Sequence, residues 1–333
     1  MTINQTTLLN FLTTVRPANS VGEKRHVNNL IKLIGDLGYT PAIDAYGNIT
    51  VNTLTDNQTS RVMFTSHTDS IHRSATHSTQ SILVANGIVT IDPKKTPQST
   101  CLGADDATGN YIMLRLLQAR APGLYVFFRD EEIGGLGSDF YAKNPDNRDL
   151  IGSLTHCISF DRKGYDSIIT HQSGGRCASN RFAKEFGALL SAADSSGVLN
   201  MSADDSGSFT DSANFDTVIS ECTNLSVGYF SQHTMKENQD IGFVEMLCDA
   251  LAKLDWTTLP HYRDPTEIEP SDYYKFGAWS GSSWHDDCSW YLSNADIEES
   301  IEAIRIGGYT QAMELVMNDP NLASDLLDYL INH

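Results

Sequence analysis

Three apolar runs in this chain stop at reactive residues instead of at ordinary turn residues. Residues 62–65 lead into His67, residues 124–128 into Asp130, Glu131 and Glu132, and residues 158–160 into Asp161. Short continuous apolar runs of this kind read as strands buried on both faces, the pattern of a parallel sheet covered by helices. Intervening segments supply the helices. Residues 21–37 carry Val27, Leu30, Ile31, Ile34 and Leu37 at spacings of three and four and stop at Gly38. Helical pattern returns at 106–119, and 241–254 read as a closing helix. The expected fold is α/β: a three-layer sandwich with a mainly parallel, mixed central sheet and helices on both faces. Ligands in such sheets bind beyond the carboxyl ends of the strands, where all three reactive termini fall.

Composition changes after about Asp255. Residues 256–294 are rich in Pro, Trp, Tyr and Ser and read as an irregular linker, whereas 295–333 read as a small helical appendage with no motif that assigns it a task. Residues 1–255 are then expected to form the main domain, which carries all three reactive strand ends. A formal charge of −19 would repel a phosphate backbone, so nucleic acid is not an expected partner. No apolar run reaches membrane-spanning length, the first residues lack a signal-peptide pattern, and six scattered cysteines form no CxxC pair. Cytoplasmic location is the resulting expectation.

The strand ends carry the candidate chemistry. In HTD, Asp69 stands two residues from His67, close enough to hold the second ring nitrogen of a metal-bound imidazole. His72 and His77 follow but are tied to no acid, and are expected as solvated loop residues. GADDATG sets Asp105 and Asp106 between glycines before a helix; capping by Asp106 accounts for one acid, and a cation for the repulsion between the two. Three consecutive acids at 130–132 pose the same conflict more sharply. One could bind metal while its neighbour takes a proton. Asp161 could alternatively be explained by an ion pair with Arg162, and His233 by an ordinary loop. Together the inventory is two histidines and three carboxylates with a spare Glu, which suits two cations sharing one carboxylate.

HTD, GADDATG, DEEIGGLGS, SFDRKG and SQHTMKE, in that order, resemble the five metal-binding segments of the co-catalytic zinc exopeptidases of clan MH, over about residues 20–255. With 233 − 161 = 72 positions between the last two segments, too few for an inserted lid domain, the closest resemblance is to the single-domain aminopeptidase branch, metallopeptidase family twenty-eight. The resemblance implies a zinc-exopeptidase-like fold and two Zn2+ per chain, with Mn2+ or Co2+ as alternatives. By that resemblance Asp105 would bridge both metals, His67 and Asp161 would complete one site, Glu132 and His233 the other, and Glu131 would be the general base. A cis peptide is implied at Asp105-Asp106. Asp211, in the acid-rich DDSGSFTDSANF stretch, would sit near the substrate or serve as a simple cap.

The expected reaction is hydrolysis by a water bridging two zinc ions, with Glu131 passing the proton to the leaving amine. Neither GxSxG nor a cysteine–histidine signature suggests a covalent route. The substrate would be a small peptide, with an N-acyl amino acid as the alternative. A non-catalytic binding protein on the same fold is disfavoured because every proposed ligand and Glu131 are present.

Overall fold

The computed structural model describes residues 2–267 apart from 57 and 74–76. Its centre is an eight-stranded mixed sheet. Across the sheet the strands run Ala42–Ile43, Ile49–Asn52, Leu124–Phe128, Val62–His67, His156–Arg162, Glu221–Ser226, Ser167–Ile169 and Ser202–Asp204. The four strands from Leu124–Phe128 to Glu221–Ser226 are mutually parallel. Their register sets His67 opposite Phe128 and Thr65 opposite Ser159, so the reactive termini emerge along one edge. The short Ala42–Ile43 and Ile49–Asn52 strands pair antiparallel, with Asp44 accepting the N–H groups of Tyr46, Gly47 and Asn48 across the turn.

Side chains alternate between two cores, as the period of a strand requires. Phe64, Tyr125, Phe127, Ile158 and Phe160 enter a large core shared with the helices Gln5–Leu12, Val21–Asp36, Ala104–Gln118, Asn180–Ala193 and Ile241–Leu251. Met63, Leu124, Val126, Phe128 and Cys157 face a smaller one with Tyr141 and Ile151, from the helices Leu136–Lys143 and Arg148–Gly152. Helices thus cover both faces, and the expected three-layer sandwich is what forms. Ser20, Ser179 and Asp240 cap their helices through side-chain bonds to Glu23, Phe182 and Phe243 N–H.

A four-stranded antiparallel sheet, Tyr229–Phe230, Asn238–Asp240, Ile88–Ile91 and Ile82–Ala85, adds an element that the sequence reading lacked. Its hairpin turns at Asn86-Gly87, both at positive φ. Past Asp255 the chain keeps packing on the domain. Trp256 is buried against Phe64 with ring centroids 4.8 Å apart, Thr257 O accepts Ser60 N–H, and Tyr262 N–H donates to Glu221. The rest of the expected linker, from 268, and the expected helical appendage at 295–333 lie outside the described residues. Among the described residues no helix is long and apolar enough to cross a membrane.

Candidate active site

Strand ends and the loops after them bring His67, Asp105, Glu131, Glu132, Asp161 and His233 together. The centre is Asp105, at the start of the buried Ala104–Gln118 helix. Its Oδ1 lies 3.0 Å from His67 Nε2 and its Oδ2 3.2 Å from His233 Nε2. Each oxygen therefore serves a different imidazole. On one side Asp161 Oδ1 is 3.7 Å from His67 Nε2; on the other, Glu132 Oε2 is 3.2 Å from His233 Nε2. Donor atoms of His67, Asp105 and Glu132 also lie within 4.8 Å of one another, as do those of His67, Asp106 and Asp161. Asp106 is already engaged, accepting His67 N–H at 3.1 Å and Gly109 N–H at 2.8 Å. It caps the helix, as the sequence suggested, and the Asp105-Asp106 peptide is cis.

Asp69 is fully buried and organises the neighbouring loop. Its Oδ1 lies 3.3 Å from His67 Nδ1, and its two oxygens accept the N–H groups of Glu131 and Glu132, each at 3.2 Å. The triple-acid run is resolved by geometry: Asp130, at positive φ, turns away and accepts the Tyr46 hydroxyl at 2.7 Å. Glu131 points inward, with Oε2 3.9 Å from His67 Nε2. Asp161 accepts from the hydroxyls of Thr210 at 2.8 Å and Tyr229 at 3.1 Å. Arg162 does not neutralise it; the guanidinium pairs with Asp204 and Ser206. His72 departs from expectation too. It is buried rather than solvated, because its ring sits between Ser70 and Gln80. His77 is partly buried. Asp211 is buried at the start of the short Asp211–Phe215 turn, near enough to Glu131 to act on its charge.

The electrostatics follow from burying many acids together. Burial and then Asp105 push Asp161 up to about 7, and burial pushes Asp211 up to about 7. Burial, reinforced by Asp161, Asp211 and Glu132, holds Glu131 well above the usual carboxylate range. Hydrogen bonds to Asp105 and Glu132 raise His233 to about 10. Burial opposes charge on His67, yet Asp105, Asp161 and Asp69 hold it well above its ordinary value. Glu132 Oε1 is buried without a hydrogen-bond partner. An excess of carboxylates, an orphaned oxygen and two imidazoles on one shared aspartate form a donor set suited to divalent cations. The cleft beside it holds about 530 Å3 of open space and is lined further by Ile169, Phe209 and Asn224.

Several supporting residues carry no sequence signal. Arg16, Glu23 and Glu237 are buried polar groups from distant segments whose partners are set only by tertiary contact. Glu237, four residues past His233, accepts N–H groups from Leu102, Gly103 and Asp105.

The sequence profile of peptidase family M28 matches residues 48–265. The chain belongs to that family, whose members are metal-dependent peptidases. In fold, 75% of the chain superposes on 97% of the aminopeptidase PepT from Bacillus cereus ATCC 10987, with a TM-score of 0.56 at 17% identity. The TET1 peptidase of Pyrococcus horikoshii, which can assemble into a tetrahedron or a large octahedral shell, is matched over 74% of this chain and 100% of its own, with a TM-score of 0.55 at 15% identity. Glutaminyl cyclase of Tannerella forsythia is matched over 78% and 100%, with a TM-score of 0.50 at 17% identity. Identities this low establish a common fold. No curated protein matches the chain in sequence.

Proposed function

We propose that this peptidase is a di-zinc exopeptidase of aminopeptidase type, with Asp105 as the shared ligand, His67 and Asp161 completing one site, and Glu132 and His233 the other. The observation that carries the reading is the division of the two Asp105 oxygens between His67 and His233. When bound, the ions would supply a water activated near neutral pH and a polarised substrate carbonyl. Glu131, fixed through its own N–H by Asp69, takes the proton from the attacking water and delivers it to the leaving amine. Burial raises its pKa, which favours uptake of the water's proton. Asp69 holds the His67 ring and the Glu131–Glu132 backbone. The substrate is a small peptide cleaved from its amino end, a reading supported by the fold shared with the aminopeptidase PepT and by the open cleft beside the proposed metal ligands. The catalytic unit comprises the domain of residues 1–255 together with the stretch packed on it after Asp255.

The test is hydrolysis of a panel of aminoacyl and N-acyl amides by wild type and Glu131→Gln, both loaded with zinc. The expected outcome is cleavage of aminoacyl amides and a loss of about 100-fold or more in the variant, with metal content unchanged. Preference for N-acyl substrates would make the enzyme a deacylase on the same site. No turnover of either class would overturn the enzymatic reading.

A further inference from the structure

Arg16 is fully buried, yet its guanidinium meets two backbone carbonyls instead of a carboxylate. Nε donates to Thr68 O at 3.1 Å and Nη2 to Gly103 O at 2.7 Å. Thr68 directly follows His67, and Gly103 precedes Asp105 by two residues. Glu237 grips the same loop from the other polarity: Oε2 accepts Leu102 N–H at 2.8 Å and Gly103 N–H at 2.9 Å, and Oε1 accepts Asp105 N–H at 3.1 Å. Both the N–H and the C=O of Gly103 are therefore held by buried ionic side chains. The cradle requires glycine there. Residue 103 has φ +71°, and a Cβ would meet His72 Cε1 at 2.9 Å and Arg16 Nη1 at 3.2 Å. Arg16 also lies upstream of the family match at 48–265, so this half of the arrangement comes from the chain's own amino-terminal segment.

We infer that Arg16 and Glu237 are positioning residues, a clamp of opposite charges that fixes the loops bearing His67, Asp105 and His233 relative to one another. Arginine suits the task because its rigid planar fork reaches two acceptors at once, which a lysine ammonium on a flexible stem cannot reproduce. Glu237 ties the segment just after His233 to the loop bearing Asp105, and Arg16 ties that loop to the one bearing His67. The guanidinium also sets a fixed positive charge beside Asp106, Glu237 and Asp69.

The inference rests on the two-zinc reading of the site, and the experiment separates the two. Zinc affinity is measured by chelator competition, and the Co2+ absorption spectrum recorded, for the full-length wild type, Arg16→Met, Arg16→Lys, Glu237→Gln and Arg115→Met. Arg115 pairs with Glu245 and Asp249 away from the cleft and reports a general loss of stability. Arg16→Met and Glu237→Gln are expected to bind zinc about 10–100-fold more weakly with an altered Co2+ spectrum, and Arg16→Lys to recover part of the loss. Arg115→Met should leave affinity and spectrum unchanged. If Arg16→Met does not fold, Glu237→Gln decides alone. Wild-type zinc affinity and Co2+ spectrum in the folded Glu237→Gln protein would overturn the clamp while leaving the metal site intact. A wild type that binds no zinc would overturn the metal reading itself, and the clamp with it.

Discussion

Asp69 shows how much one buried carboxylate can organise. Two consecutive backbone N–H groups, those of Glu131 and Glu132, point at its two oxygens, and the His67 ring stands beside one of them. Asp69→Asn replaces one acceptor by an NH2 that faces another donor, so activity should fall about 10–100-fold. Steady-state kinetics on the folded variant checks this; unchanged kcat/KM would mean that Asp69 is not needed for alignment. At this scale the sequence was informative wherever a reactive residue closed an apolar strand. His67, Glu131, Glu132 and Asp161 could be marked for that reason, and Asp105 and His233 by their motifs. Arg16 and Glu237 could not be, because a buried charge is recognisable only once its partners, up to 135 residues away in sequence, are known. His72 is hidden from a sequence reading for the same reason: its loop position suggests solvent, while Gln80 folds back over it.

At the scale of elements, the Val21–Asp36 helix does more than bury its apolar stripe. Glu23 on its first turn is fully buried; it accepts two bonds from Arg129 at 2.9 Å and one from the Thr68 hydroxyl at 3.1 Å. The helix is thereby stapled to the strand end beside Glu131 and to the residue after His67. Removing one partner of a buried pair strands the other, so Glu23→Ala should destabilise the protein by about 3 kcal/mol. Urea unfolding measures this, and a shift below about 0.5 kcal/mol would show that the pair contributes nothing to the fold. Periodicity revealed the helix and its end at Gly38, but not what Glu23 would touch. Likewise the 82–91 hairpin pairs with Asn238–Asp240, a contact across about 150 residues that no local pattern encodes.

For the molecule as a whole, pH tests how its interior was assembled. His156 is buried between the main sheet and the chain past Asp255, with Nε2 2.9 Å from Pro260 O, and burial lowers its pKa to about 4. The folded state holds it neutral while the unfolded chain protonates near 6.5. Its stabilising contribution is full above pH 6.5 and is lost as pH falls toward 4, because the unfolded state then binds the extra proton. Wild type should lose more stability than His156→Gln over that interval in denaturant titrations, and parallel losses would refute the assignment. Two cations on one aspartate would define the site. A crystal of the zinc-loaded protein measured on both sides of the zinc absorption edge tests it most directly. Two anomalous peaks about 3.5–4 Å apart are expected, flanking Asp105, one beside His67 and Asp161 and the other beside Glu132 and His233. No peak at Asp105, or a single one with His233 unliganded, would contradict it.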